Sequence, residues 1–75
     1  MPIQVKFFAS LREQLGRNET EITTASTVAD AWQQATDGEP LPDRMLVAVN
    51  LDYATLDSAV KDGDEVAFFP PVTGG

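Results

Sequence analysis

At 75 residues and 43% hydrophobic, the chain makes one small globular domain, with no length for a second. Twelve acids against five bases leave a net charge of −7. That argues against nucleic acid and anionic membranes as partners, because both are bound through Lys and Arg. With no Cys and no His there is no disulfide, no thiolate nucleophile or metal ligand, and no acid–base side chain of the commonest kind, so a self-sufficient enzyme is not expected.

The charge is uneven. Residues 1–36 hold four acids and three bases, whereas residues 37–65 hold eight acids and two bases. Such an excess serves either as a solvated face or as a field that steers a basic partner. No run approaches the ~20 apolar residues of a membrane span. No basic-then-apolar leader precedes the first strand, so a cytoplasmic protein is the expectation.

Ile3, Val5 and Phe7 alternate with Gln4, Lys6 and Phe8, which predicts a strand with one buried face. Phe8 puts a large apolar group on the polar side. It either packs on a neighbouring element or belongs to a docking patch. Residues 9–15 read as a short helix, with Ser10 as a possible cap, Leu11 and Leu15 on one face, and Gly16 as its end. Arg12 lies off that face and is expected to be exposed.

Residues 20–24 read as a second strand centred on Ile22. Thr27 opens the main helix as its cap, with Asp30 in the first turn. Val28, Ala31, Trp32 and Ala35 follow at helical spacing as one apolar stripe, with Trp32 as a central core residue. Gly38 and Pro40 end it. Residues 39–43 are a loop, and residues 45–49 an apolar strand. A turn at Asn50, Leu51 and Asp52 and a short strand over 53–56 come next. Val60 belongs to the core. Lys61-Asp62-Gly63-Asp64 is a turn signal leading into a last strand. The nearby carboxylates of Asp62, Asp64 and Glu65 lack the remaining ligands of a calcium loop and read as that turn; no metal site is expected. The order implies an α+β roll, a mixed sheet with helices on one face.

The last ten residues are the most informative. Val66, Ala67, Phe68 and Phe69 favour a strand. Pro70 and Pro71 then stop it, having no N–H for a ladder. Each also holds the preceding residue extended. Residues 1–69 thus form the domain and residues 70–75 an extended tail reaching roughly 20 Å. No side-chain charge follows Glu65. Gly74 and Gly75 let a partner's backbone close around the chain. Two terminal glycines also arise by chance roughly once in 200 chains. The proline brake and the neutral tail favour a working terminus, with the carboxylate of Gly75 as the reacting group.

The run from Asp62 to Gly75, ending Phe-Phe-Pro-Pro-Val-Thr-Gly-Gly, resembles the C-terminal signature of the MoaD/ThiS family of ubiquitin-like sulfur carriers. It is most similar to the molybdopterin synthase branch. Val5-Lys6-Phe7-Phe8-Ala9, Leu11-Arg12-Glu13 and Val47-Ala48-Val49-Asn50 resemble the same family. The resemblance implies a β-grasp fold and a sulfur carrier that holds no cofactor of its own. Gly75 would be adenylated with ATP by an E1-like enzyme and given sulfur by a sulfurtransferase. It would then donate that sulfur to cyclic pyranopterin monophosphate within a heterotetramer of two small and two MoaE-like large subunits. By the same resemblance Pro70, Pro71, Val72, Thr73 and Gly74 form the inserted tail, while Phe8, Arg12 and Phe69 lie at partner interfaces. A carrier for thiamine synthesis or tRNA thiolation, and a ubiquitin-like modifier, use the same activated glycine. A non-covalent binding module would not need it.

Overall fold

The structure, a computed structural model, describes residues 1–42 and 44–70. In chain order it has β1 (Ile3–Phe7), α1 (Ser10–Leu15), β2 (Glu19–Ile22), α2 (Val28–Thr36), β3 (Leu46–Val49), β4 (Asp52–Ala54) and β5 (Glu65–Phe69). The strands form one sheet in the order β2-β1-β5-β3-β4. β1 and β5 run parallel, and the other three pairs are antiparallel. This is the α+β β-grasp architecture, a mixed sheet with the main helix on one face.

Alternation decides which side chains the helix covers. Ile3, Val5 and Phe7 of β1 are buried, as are Val66 and Phe68 of β5 and Val47 of β3. They meet Val28, Ala31, Trp32 and Ala35, the stripe expected on α2. Trp32 stands edge-on to both Phe7 and Phe68, with ring centroids 5.9 and 5.0 Å apart. Phe7 and Phe68 lie nearly parallel at 6.0 Å. The indole N–H finds a polar partner by donating to the Glu39 carbonyl at 2.8 Å.

The helix ends obey local chemistry. Thr27 caps α2, its hydroxyl accepting from the Asp30 N–H at 3.2 Å. Two further N–H groups of the first turn, those of Val28 and Ala29, donate to the Ser58 and Leu56 carbonyls. That docks the segment before Val60 against the helix start. At the other end Asp37 takes the left-handed conformation, and the Gly38 N–H reaches back to the Gln33 carbonyl.

Several boundaries differ from expectation, that of β5 among them, since Glu65 already pairs with Gln4 ahead of Val66. Ser10 does not cap α1: it is the first helical residue, and Ala9 precedes it at φ 54° with no side-chain cap. The chain turns sharply from β1, and the carbonyls of Phe8 and Ala9 accept from Leu11 and Arg12. Backbone thus does the work expected of the serine. Gly16 closes α1 as foreseen, at φ 72°. β2 starts at Glu19 and ends at Ile22, because its pairing partners on β1 run from Lys6 back to Ile3. β3 starts at Leu46, opposite Phe69, not at Met45. The hairpin turn takes only Asn50 and Leu51, since Asp52 already pairs with Val49 and shifts β4 to 52–54.

Phe68 and Phe69 are neighbours on opposite faces, and this makes a clean comparison. Phe68→Ala should lower unfolding stability by about 3–5 kcal/mol. Phe69→Ala should cost less than about 1.5 kcal/mol, the size of one aromatic contact. Urea denaturation of the two variants checks both values.

Candidate functional site

β5 is the central strand. It is bonded to β1 on one side and β3 on the other, and it ends at Phe69 with Pro70 after it. The residue that stops the sheet is the expected one. Pro71, Val72, Thr73, Gly74 and Gly75, expected to form the inserted tail and its reacting end, lie outside the described residues.

The face of the sheet away from α2 has no element of the described chain over it. Lys6, Phe8, Ala48, Leu51, Tyr53, Glu65, Ala67 and Phe69 line a shallow depression of about 370 Å³ there. Its floor is low because Ala48 and Ala67 are register partners. Its walls are aromatic. Tyr53 and Phe69 meet with ring centroids 6.1 Å apart. Phe8 is 46% exposed, and its N–H donates to the Phe68 carbonyl, which holds it beside the end of β5. Phe8 is thus not buried under a neighbouring element; it stands half exposed in an apolar patch.

Phe8 and Phe69 are therefore brought together at the tail end of one face. Arg12 lies just round the corner, lining a smaller hollow with Lys6, Phe8, Asn18 and Glu19. Within the patch Lys6 Nζ lies 2.8 Å from Glu65 Oε2, both side chains about one-third exposed. The hydrogen bond to Glu65, and then the charge of Glu65, raise the Lys6 ammonium above its ordinary value of 10.5. The pair brings two charges into an apolar face without adding net charge to it.

The far end of the face is fastened by Asn50. Its amide nitrogen donates to Asp64 at 3.0 Å, and its amide oxygen accepts from the Glu65 N–H at 3.0 Å. Its own N–H donates to the Glu65 carbonyl at 2.8 Å. Asp64, only 7% exposed, also accepts from the Lys61 N–H at 3.0 Å. Asp64 is thus the staple between the β3–β4 turn and the turn before β5. Among the described residues no group of three or more His, Cys, Asp or Glu could hold a metal ion. No helix among them is long and apolar enough to cross a membrane.

Lys6, Ala48, Leu51, Tyr53, Glu65 and Ala67 were not singled out for this face. The signal was present for part of it: positions 4 and 6 of β1, position 8 just after it, and positions 65, 67 and 69 of β5 share the parity opposite to the core. The contribution of β3 and β4 depends on strand order, which periodicity does not carry.

The chain matches the ThiS family over residues 5–75. The chain belongs to the ThiS family. A relative from Haemophilus influenzae, the molybdopterin synthase sulfur carrier subunit, is 44% identical over 97% of this chain and 99% of its own. Among solved structures, the small archaeal modifier protein SAMP1 of Haloferax volcanii superposes with a TM-score of 0.78, at 33% identity over 100% of both chains. A chain of the complex of subunits 1 and 2 of the Helicobacter pylori molybdopterin-converting factor superposes with a TM-score of 0.66, at 25% identity over 100% of this chain and 100% of that one.

The Asn50–Asp64 staple gives the domain an acid-sensitive element. The Asn50 hydrogen bond, and then that of the Lys61 N–H, hold the Asp64 carboxyl below its ordinary value of 3.8. A lowered value means stability that is fully present above the ordinary value and is lost as pH falls through the folded one. Asn50→Ala should therefore be less stable than wild type at neutral pH, and the gap should narrow as pH falls below about 4. Urea unfolding across that range tests this.

Proposed function

We propose that this chain is the sulfur-carrier subunit of a molybdopterin synthase and that the carboxylate of Gly75 is its working group. One observation carries the reading. The central strand of the sheet ends at Phe69 beside an uncovered aromatic face, and the five C-terminal residues follow Pro70 in sequence from that point. A terminus rooted there is held by hydrogen bonds on both sides of its strand, next to a surface fit for a partner. The family likeness runs through residue 75, and the Haemophilus influenzae relative has the same role.

The reacting group needs outside activation. A free α-carboxyl has a pKa near 3.5, so it is an anion at pH 7 and resists nucleophiles. An E1-like enzyme supplies ATP. A carboxylate oxygen of Gly75 attacks the α-phosphate, pyrophosphate leaves, and a mixed anhydride forms. The persulfide of a sulfurtransferase then displaces AMP to give an acyl disulfide, and a thiol cleaves its S–S bond, leaving the thiocarboxylate and a disulfide. Pro70, Pro71, Val72, Thr73 and Gly74 carry it into a MoaE-like large subunit. There the sulfur passes to cyclic pyranopterin monophosphate towards the dithiolene, and water returns Gly75 to a carboxylate. The Helicobacter pylori complex of subunits 1 and 2 supports a large-subunit partner. The assembly proposed for this chain has two small and two large subunits. Phe8, Phe69 and Arg12 face that partner or the activating enzyme. A chain without Cys or His is suited to this division: it brings the acyl group, and its partners bring the catalytic side chains.

The likeness to SAMP1 favours a second reading, a modifier whose Gly75 is joined to lysines of other proteins. It shares the adenylation step and differs in the final acceptor. Isopeptide-linked targets in the native host would identify it. A thiamine or tRNA-thiolation carrier would instead be recovered with a different stable partner.

Intact mass with C-terminal fragmentation, on protein isolated without oxidants, is the direct test. One oxygen replaced by sulfur at Gly75 is the expected result. A chain that stays a carboxylate and forms no adenylate with ATP and its cognate activating enzyme defeats the carrier reading. Gly74→Val, or one residue added after Gly75, should abolish sulfur transfer and leave the thermal unfolding curve unchanged.

A further inference from the structure

The Trp32 side of the sheet carries a second hollow. It is a groove of about 350 Å³ between α1 and the loop after α2, with Leu11, Leu15, Trp32, Pro40, Leu41 and Pro42 along it. Trp32 is almost wholly buried and forms the floor, whereas Leu41 is 37% exposed at the rim. The indole N–H bond to the Glu39 carbonyl ties the loop to the helix, and two prolines within three residues leave that loop few conformations. The groove is therefore built before anything enters it.

Topology puts it at the end of the sheet where β5 stops. Phe7 lies opposite Phe68, and the Phe8 N–H donates to the Phe68 carbonyl, so α1 starts beside that end. β3 begins with Leu46 opposite Phe69, so the loop ahead of it comes in on the other side. The central strand thus ends between two hollows on opposite faces, the aromatic depression and this groove. Their charges differ. The depression holds the Lys6–Glu65 pair. The groove ends at Glu39, and the hollow that continues it past Gln14 and Leu15 adds Asp37. Arg17, which lines that continuation, already donates to the Ala35 carbonyl at 3.2 Å. An apolar groove with an acidic end fits an apolar side chain that has Lys or Arg next to it.

We propose that this groove docks the sulfurtransferase, through such an apolar and basic segment, while the activating enzyme still holds the adenylated chain. The proposal rests on the sulfur-carrier reading above. The chemistry brings both proteins to Gly75 at once. An acyl-adenylate is a mixed anhydride that water also attacks, so it must be consumed before it is released. The terminal persulfide sulfur forms the C–S bond as the bond to AMP breaks, and a thiol then cleaves the S–S bond. Residues 71–75 span at most about 18 Å, so both proteins must stand close to the end of β5. Two proteins cannot occupy one face of so small a domain at that end. The aromatic face serves the protein that holds the adenylate, and the groove gives the sulfur donor the other side.

The test gives the full chain, with ATP and its cognate activating enzyme, two sources of sulfur. One is the persulfide-loaded sulfurtransferase with a thiol. The other is inorganic sulfide, which attacks the same adenylate without docking. The variants are Leu41→Ser and Glu39→Lys. Leu41 is a partly exposed loop residue, and a lysine near the end of α2 suits the helix dipole, so both variants should unfold at a urea concentration close to that of wild type. Intact mass follows thiocarboxylate formation. With the protein donor below saturation the rate should fall about tenfold in each variant, as for an interface anchor. With sulfide it should equal that of wild type. Unchanged rates with the protein donor overturn the docking site and leave the carrier reading intact. Equal losses with both sulfur sources also overturn it, by placing the defect at adenylation. A wild-type chain that forms no adenylate overturns the carrier reading and this inference together.

Discussion

The pairing of β5 between β1 and β3 is the constraint on which the remainder depends. A strand bonded along both edges can neither peel away nor slide without breaking two ladders. Its register sets two surfaces at once. With Val5 opposite Val66 and Phe7 opposite Phe68, Phe68 points to Trp32 and Phe69 points to Tyr53. A slip of one residue would exchange the two phenylalanines, removing the centre of the core and the aromatic end of the face together. Folding and presentation are therefore one event in this chain. Under the proposed sulfur-carrier reading that linkage matters, because a misregistered strand would also misplace Pro70, from which the last five residues follow.

The same constraint explains the pattern of polar groups. A 75-residue domain buries only a modest core, so it has little stability to spare. The buried polar side chains answer this by being bonded: Thr36 donates to the Trp32 carbonyl at 2.7 Å, and Asp64 accepts from Asn50 and Lys61. No buried side-chain nitrogen or oxygen of the described residues lacks a partner. The Asn50–Asp64 staple also keeps the β3–β4 turn aligned with the start of β5, so the far end of the face is held as firmly as the tail end. The Lys6–Glu65 pair within that face carries a different consequence. Covering it takes two charges out of water, and a partner recovers that cost only with polar groups placed to meet them. The pair thus adds selectivity to a surface whose affinity is apolar.

Much of this was legible from residue order alone. The β1 alternation, the α2 stripe with its Thr27 cap, the Gly63 turn and the proline stop at residue 70 are local signals, and the chain obeys them. Family resemblance singled out Phe8, Phe69 and Arg12 as positions at partner interfaces; Phe8 and Phe69 line one depression, and Arg12 lines the hollow beside it. Ser10 misled because a sharp backbone turn at Ala9 supplied the carbonyls nearby, leaving its hydroxyl no capping role. Asp64 read as one acid of a solvated turn, yet its partner Asn50 is fourteen residues away across the sheet, and no local rule connects them. Leu51 and Tyr53 were hidden for the same reason. Their membership of the face follows from β3 lying next to β5, a long-range pairing that composition and spacing do not encode.

The hairpin shows how strain and exposure together carry information that neither carries alone. An exposed leucine is ordinary, because much of any folded surface is apolar. A left-handed residue that is not glycine is uncommon but has local causes, such as the hairpin geometry here. Their coincidence at Leu51 is harder to explain from within. Glycine would satisfy the turn at lower conformational cost, and a polar residue would satisfy solvent. Leucine does neither, and it stands at the rim of a hollow whose other walls are aromatic and whose opposite end releases the tail. The turn therefore bears a conformational cost that glycine would not. In a domain with so small a core, that cost is a measurable share of the folding free energy.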